Sequence, residues 1–460
     1  MQFPPFKGFG PSDAMKQLSQ WVNQPTITNA IKEAAQKIGI TDTSPLANVQ
    51  EMLRNAGRWV ESVVEPWTKS GASELRPGIN GTGEWFHSRW TSPRLPTRSA
   101  SLTALLQSNF TDGHAIDSQL AKELMAATGA SDAIVAPNVP IALLLVSKAL
   151  HEADIASEVI LPRSSCVRLP NSASLGGVHV RSVLDASGVR VEEIGSSADC
   201  RPEDYRGAVT HAKQLLVLAS PQSVDDAREA GLARVREVGG LACEIALDGC
   251  IHDLPSIGSG VRALSRRWED GPDLIVVPGQ FLLSGPECGI VLGKRDVIAT
   301  IRKSAEEWGM MCDHVTAAIL CHVLQNTHNH DQWLQTPTGA ALTTSIENLE
   351  NRARRISVQA DVSEHIDRLE VHRQAFKLGT GMWQGIRLES AVLRIYPQNK
   401  SPSAFADELV RRKIPVWCNV HTEYLEIVMR SIDPSEDAIL VESLLKPQDG
   451  TENSPPSDAT

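Results

Sequence analysis

Apolar positions follow three regimes along the chain. Over residues 1–70 they recur at helical spacing. Ser12 and Asp13 stand where a cap belongs, ahead of Met15, Leu18 and Trp21. Thr26–Ile38 and Pro45–Trp67 continue the period through Val49, Met52, Leu53, Trp59, Val60 and Val63. This predicts a helical N-terminal segment over 1–72 and an extended connection at Lys69–Pro77.

From about residue 78 short apolar runs alternate with longer amphipathic stretches. The runs predict strands at Ala133–Ala136, Glu158–Leu161, Gly177–Val180, Gln214–Ala219, Ala242–Leu247, Leu274–Val277 and Gly289–Leu292. Helices are predicted at Asp117–Thr128, Pro140–Ala149, Val224–Val238 and Lys294–Ala305. Alternation of this kind predicts an α/β layered domain over 73–325 with a mostly parallel, seven-stranded sheet. The third regime, 326–445, predicts a small C-terminal α+β domain. Ala391–Tyr396, Val416–Val420 and Tyr424–Met429 read as strands, and Ser403–Arg412 and Pro434–Leu445 as helices, with Asp433 as the last N-cap. The Pro-, Ser- and acid-rich stretch 446–460 predicts a disordered tail.

Composition narrows the class. The 460 residues are 42% hydrophobic, enough for a substantial core, and net charge is −11. That charge favours a soluble cytoplasmic protein and gives no general attraction to DNA or a membrane, so neither is an expected partner. The start, MQFPPFKGFGPSDAMKQ, lacks a basic region followed by an apolar one, so no secretory leader is expected. The eight cysteines form no CxxC pair, so a zinc site or redox dithiol is not expected, nor is any other metal. They read as small core residues.

Five segments carry a family resemblance. They are RPGINGTGEWFH (Arg76–His87), ATGASDAIVAPNVPIALLLVSKAL (Ala127–Leu150), LDGCIHDL (Leu247–Leu254), DLIVVPGQFLLSGPECGIVLG (Asp273–Gly293) and PVWCNVHTEYLEIVMRSIDPSED (Pro415–Asp437). In this order they resemble the selenocysteine synthase (L-seryl-tRNA selenium transferase) family of pyridoxal-phosphate (PLP) enzymes. The resemblance implies a fold-type I PLP-transferase fold, aspartate aminotransferase-like, with pyridoxal 5'-phosphate as cofactor. It also implies a homo-oligomer, dimeric or larger, and an N-terminal segment of the kind that contacts tRNA.

In the fourth segment the family reads Ser-Gly-Asp-Lys-Leu-Leu-Gly-Gly-Pro-Gln-Ala-Gly. Gly279, Leu282, Leu283, Gly285, Pro286 and Gly289 match it. The Schiff-base lysine falls on Phe281, whose phenyl ring cannot form an imine. Gln280 replaces the adjoining acid, and Lys294, thirteen residues on, should point elsewhere. Asp248 stands where the family's pyridinium aspartate ends a strand; its plainer reading is a turn aspartate before Gly249. Asn138 lies in the phosphate stretch, where Val139 and Pro140 are apolar; its plainer reading is a helix N-cap. His87 matches the N-terminal motif histidine and also reads as packing between Trp85 and Trp90. Arg430 stands where the family keeps an arginine able to hold a substrate carboxylate; the alternative is an ion pair with Glu426 or Asp433. A family run of arginines before Asp313-His314 is replaced by Glu306–Met311.

Scaffold positions are thus matched while reactive ones are replaced. The expected function is a divergent selenocysteine-synthase-like protein that does not form the internal imine and acts non-catalytically or as a partner subunit. The alternative is an active PLP-dependent transferase or lyase on seryl-tRNA or a small amino-acid substrate. A third reading, different chemistry from Asp248, His87, Asp313 and His314, has no spacing that points to a reaction.

Overall fold

The computed structural model describes residues 78–85, 113–170, 177–197, 200–220, 226–254, 261–269, 271–379, 386–412 and 414–445. The helical segment expected over 1–72 and the tail at 446–460 lie outside these residues.

The first ten strands are β1 (Ile79–Asn80), β2 (Asp132–Ala136), β3 (Glu158–Pro162), β4 (Arg168–Leu169), β5 (Val178–His179), β6 (Arg190–Ile194), β7 (Gln214–Ser220), β8 (Leu241–Ala246), β9 (Leu274–Pro278) and β10 (Gly289–Gly293). Helices on the same stretch are α1 (Gly113–Thr128), α2 (Val139–Glu152), α3 (Val180–Ala186), α4 (Pro202–Ala208), α5 (Asp226–Val238), α6 (Leu264–Glu269), α7 (Arg295–Glu307) and α8 (His314–Gln325). Seven strands form one sheet in the order β2-β10-β9-β8-β7-β3-β6. Only β10 runs antiparallel to its neighbours, β2 and β9. This is the mostly parallel α/β arrangement expected of a fold-type I large domain.

The strands are apolar runs because both faces of the sheet are covered. Alternate residues enter two cores: Ile134, Val276 and Val291 one, Val135, Ile275 and Ile290 the other. One expected strand is corrected. Gly177–Val180 supplies only β5, a two-residue partner of β4, and Val180 already begins α3. The seventh place is taken by β6, RVEEI, which pairs with β3 alone. As an edge strand it carries charges that a central strand cannot.

The rest of the chain holds α9 (His330–Leu334), α10 (Pro337–Thr343), α11 (Ile346–Ala360), α12 (Pro402–Val410) and α13 (Asp437–Leu445). Its strands are β11 (Ile366–Lys377), β12 (Arg387–Pro397), β13 (Val416–Trp417), β14 (Asn419–Val420) and β15 (Leu425–Val428). An antiparallel sheet, β11-β12-β15-β14, packs Leu393, Ile395, Leu425 and Ile427 with Leu349, Ala353 and Ile356 of α11. The run expected as one strand at 416–420 divides: β13 pairs in parallel with β1, and β14 with β15. At the chain's last helix Asp433 and Glu436 form a capping box.

Candidate functional site

In an open α/β sheet, ligands bind outside the carboxyl ends of the parallel strands. Here that edge brings together Asn138 after β2, Asp248 after β8 and Phe281 after β9. Three of the positions singled out from the sequence therefore share one edge of one sheet. His87 lies outside the described residues.

Phe281 opens a short 3-10 turn, Phe281–Leu283, between β9 and the antiparallel β10. Its backbone sits at φ +65°, the left-handed region that a bulky residue occupies at a cost of roughly 1–2 kcal/mol. The ring packs with Trp85 against an apolar cluster that includes Cys250, Leu254, Leu282, Trp333 and Leu342. Trp333 Nε1 donates to Leu282 O at 2.8 Å and pins the turn. Gln280 is buried, and its Oε1 has no hydrogen-bond partner among the described residues. The matched glycines are required by close approach. A Cβ on Gly279 would lie 2.3 Å from Cys288 Sγ, and one on Gly289 2.2 Å from Asn138 O.

Asn138 is a helix N-cap: its Oδ1 accepts from Ile141 N at 2.9 Å. Phosphate binding at a helix start needs first-turn N–H groups. In α2, Pro140 has none, Ile141's goes to the Asn138 side chain and Ala142's to Asn138 O at 3.0 Å. Of the first-turn donors that a phosphate would take, cap and proline leave the Val139 N–H.

Asp248 is 0% exposed, so no ring-sized space adjoins its carboxylate. Arg267 of α6, 3% exposed, donates from Nη2 to Asp248 Oδ2 at 2.5 Å and from Nη1 to Glu244 Oε1 at 2.6 Å. Arg228 of α5 closes on the other oxygen of Glu244. Burial alone would raise the Glu244 carboxyl, but Arg267 and then Arg228 outweigh it and hold it below the usual carboxylate range. Two carboxylates and two guanidiniums thus balance inside the domain. Sequence reading missed Arg267, Glu244 and Arg228. The available signal was Glu244 itself, an acid inside the apolar run Ala242–Leu247, which needs a buried cation.

The remaining candidates are held by structural contacts. Lys294 stands at the N-cap position of α7 with no side-chain cap bond, and pairs with Asp273. Asp313 caps α8, accepting from Val315 N and Thr316 N at 2.9 Å each. Burial raises its carboxyl, but hydrogen bonds from Thr316 and Val315 bring it below its ordinary value. His314 stands 3.9 Å from Asp117. Arg430 points its guanidinium at main-chain oxygens, to Glu389 O at 2.6 Å, Ala341 O at 2.7 Å and Thr344 O at 3.0 Å. It thereby caps the carboxyl end of α10. The hollow beside it, lined by Trp85, Leu342, Phe376 and Val428, encloses ≈ 20 Å³, room for about one water and far below the roughly 300 Å³ of a small ligand site. Burial pushes the thiols of Cys250 and Cys312 up to about 12, so neither is a ready nucleophile. Among the described residues, no three His, Cys, Asp or Glu side chains are grouped to hold a metal. None of the described helices is long and apolar enough to cross a membrane.

Measured against pyridoxal phosphate, these residues do not fit. Where the resemblance places the imine stands a phenyl ring, where it places the pyridinium partner Asp248 is paired with Arg267, and where it places the phosphate most first-turn donors are taken by cap and proline.

Comparison with known proteins identifies the lineage. The family model for L-seryl-tRNA selenium transferase matches residues 106–433. The L-seryl-tRNA(Sec) selenium transferase of Moorella thermoacetica is 26% identical, over 88% of each chain. That of Desulfotalea psychrophila is 26% identical, over 84% of this chain and 86% of its own. Among solved structures, D-glucosaminate-6-phosphate ammonia-lyase superposes with a TM-score of 0.57 at 16% identity, over 81% of this chain and 95% of its own. That likeness is one of fold. With more than half of its length matched by the family model, and with the sheet the family resemblance implies, the chain belongs to the L-seryl-tRNA selenium transferase, or selenocysteine synthase, family.

Proposed function

We propose that this chain is a non-catalytic member of its family, a partner subunit that keeps the transferase scaffold without the covalent cofactor link. Pyridoxal 5'-phosphate is the cofactor the family implies. What that cofactor supplies, when bound as an imine, is an electron sink for bonds at an amino acid's α-carbon. The observation that carries the reading is Phe281 at the imine position, its ring packed into an apolar cluster. Lys294, the nearest lysine after the turn, lies beyond β10 and is paired with Asp273, just before β9.

The scaffold offers what a partner subunit needs: an intact sheet, two cores and a small domain tied to the N-terminal motif by β1–β13 pairing. Retained shape with replaced chemistry suits assembly with a second copy or with a competent relative.

The test is direct. Full-length protein is incubated with pyridoxal phosphate, reduced with borohydride and mapped by mass spectrometry. No pyridoxyl adduct is expected at stoichiometric yield on any lysine. A stoichiometric adduct on one lysine overturns the proposal and favours an active transferase or lyase on seryl-tRNA or a small amino acid. Sedimentation of the chain alone, and co-expressed with a competent family member, then reads the assembly. A strictly monomeric species in both cases removes the partner-subunit part.

A further inference from the structure

We infer that Arg267 is a built-in counter-charge for Asp248, standing in for the cofactor's pyridinium, so that this domain is organised to fold and persist without pyridoxal phosphate. The inference rests on the reading that Phe281 prevents the imine, and adds a second, independent closure of the same site.

The argument starts from what an aspartate at a strand end needs. A carboxylate removed from water requires an opposite charge or several donors. In an enzyme of this fold type the protonated pyridine nitrogen meets that need only while the cofactor is bound. Here the need is met by the chain itself. Arg267 reaches Asp248 at 2.5 Å from a short helix that follows the strand-end turn. The same guanidinium reaches Glu244, four residues earlier in β8, at 2.6 Å. Its Nε donates to Arg262 O at 3.3 Å. Forked, planar and always charged, arginine suits a site with two fixed carboxylates better than lysine does. Arg228 then completes the balance at Glu244. With all four groups buried, a cofactor ring cannot approach Asp248 without displacing the guanidinium from it.

The consequence is that restoring the amine alone is not enough. Three proteins are compared at full length: wild type, Phe281→Lys, and Phe281→Lys with Arg267→Gln. Each is titrated with pyridoxal phosphate, followed by imine absorbance and by the borohydride adduct. Phe281→Lys alone is expected to gain only weak, unsaturable labelling. The double variant is expected to bind at least ~10-fold more tightly, about 1.4 kcal/mol. Equal behaviour of the two variants, whether both bind or neither does, overturns the inference. An adduct on wild type instead overturns the earlier reading and leaves this comparison intact.

If the double variant does not fold, the isosteric Asp248→Asn decides by thermal denaturation. It is expected to lower the midpoint by several degrees, equally with and without pyridoxal phosphate. An unchanged midpoint, or a cofactor-dependent difference, overturns the inference.

Discussion

Phe281 keeps a left-handed backbone, φ +65°, although nothing about a phenyl ring favours it. Ser284, at φ +59°, closes the same turn. Both conformations are over-determined by neighbours: Trp333 Nε1 on Leu282 O, and Ser284 Oγ within 3.2 Å of Thr336 Oγ1. The turn is therefore held in shape by its neighbours rather than by the residue at 281. Asn138 shows the same split at a helix start, since its amide serves the backbone of α2. Replacing it by alanine is expected to cost about 1 kcal/mol, whereas Asn138→Asp retains the cap. Urea denaturation with and without pyridoxal phosphate checks this, and a loss seen only with the cofactor present would contradict the cap role. Both residues were legible in the sequence, because a missing amine and an Asn before Val-Pro each carry local meaning. Arg430 was legible as a position but not as a contact. Its partners are carbonyls some 40 and 90 residues away, and carbonyls leave no mark in a sequence.

At the scale of elements, the interior strands were readable and the partly solvated ones were not. β8 and β9 are apolar runs because both faces are covered. β6 carries three charged side chains and β11 six charged or histidine ones, so their composition resembles that of loops. Only pairing with β3 and β12 makes them strands. Glu244 is the exception inside an apolar run, and it joins three elements: β8, α5 through Arg228 and α6 through Arg267. Removing one member strands the others. Glu244→Ala is expected to destabilise by about 3–5 kcal/mol, the usual cost of breaking a buried pair, read as a lowered denaturation midpoint. A loss under 1 kcal/mol counts against the network. The sign of its pH dependence also follows. The folded carboxyl lies below its ordinary value of 4.5, so the folded state binds fewer protons there than the unfolded chain. Its stabilisation is full above pH 4.5 and is lost as pH falls through the lower, folded value. Acid titration of Glu244→Gln should therefore show a shallower stability slope below pH 4.5 than wild type. Identical slopes would assign acid unfolding to other carboxylates.

For the whole molecule, scaffold and site can be separated by asking what each conserves: volume and backbone approach on one side, donors and charges on the other. Gly279 and Gly289 remain because a methyl group has nowhere to go, and the strand order remains because its apolar faces must be covered. Those constraints act whether or not a cofactor is present. Constraints from the cofactor act only through binding free energy, which reaches the fold by mass action. A ligand at a hundred times its dissociation constant stabilises by about 2.7 kcal/mol, enough to raise the melting midpoint by several degrees in a chain of this size. Arg267 supplies internally the charge that such binding would have brought. The full-length protein is therefore expected to melt at the same temperature, within about 1 °C, with and without saturating pyridoxal phosphate. Differential scanning fluorimetry reads this without any assumption about substrate or activity. A cofactor-dependent rise of several degrees would mean that the strand-end edge still opens for the ring, and that the buried Arg267–Asp248 pair yields to it.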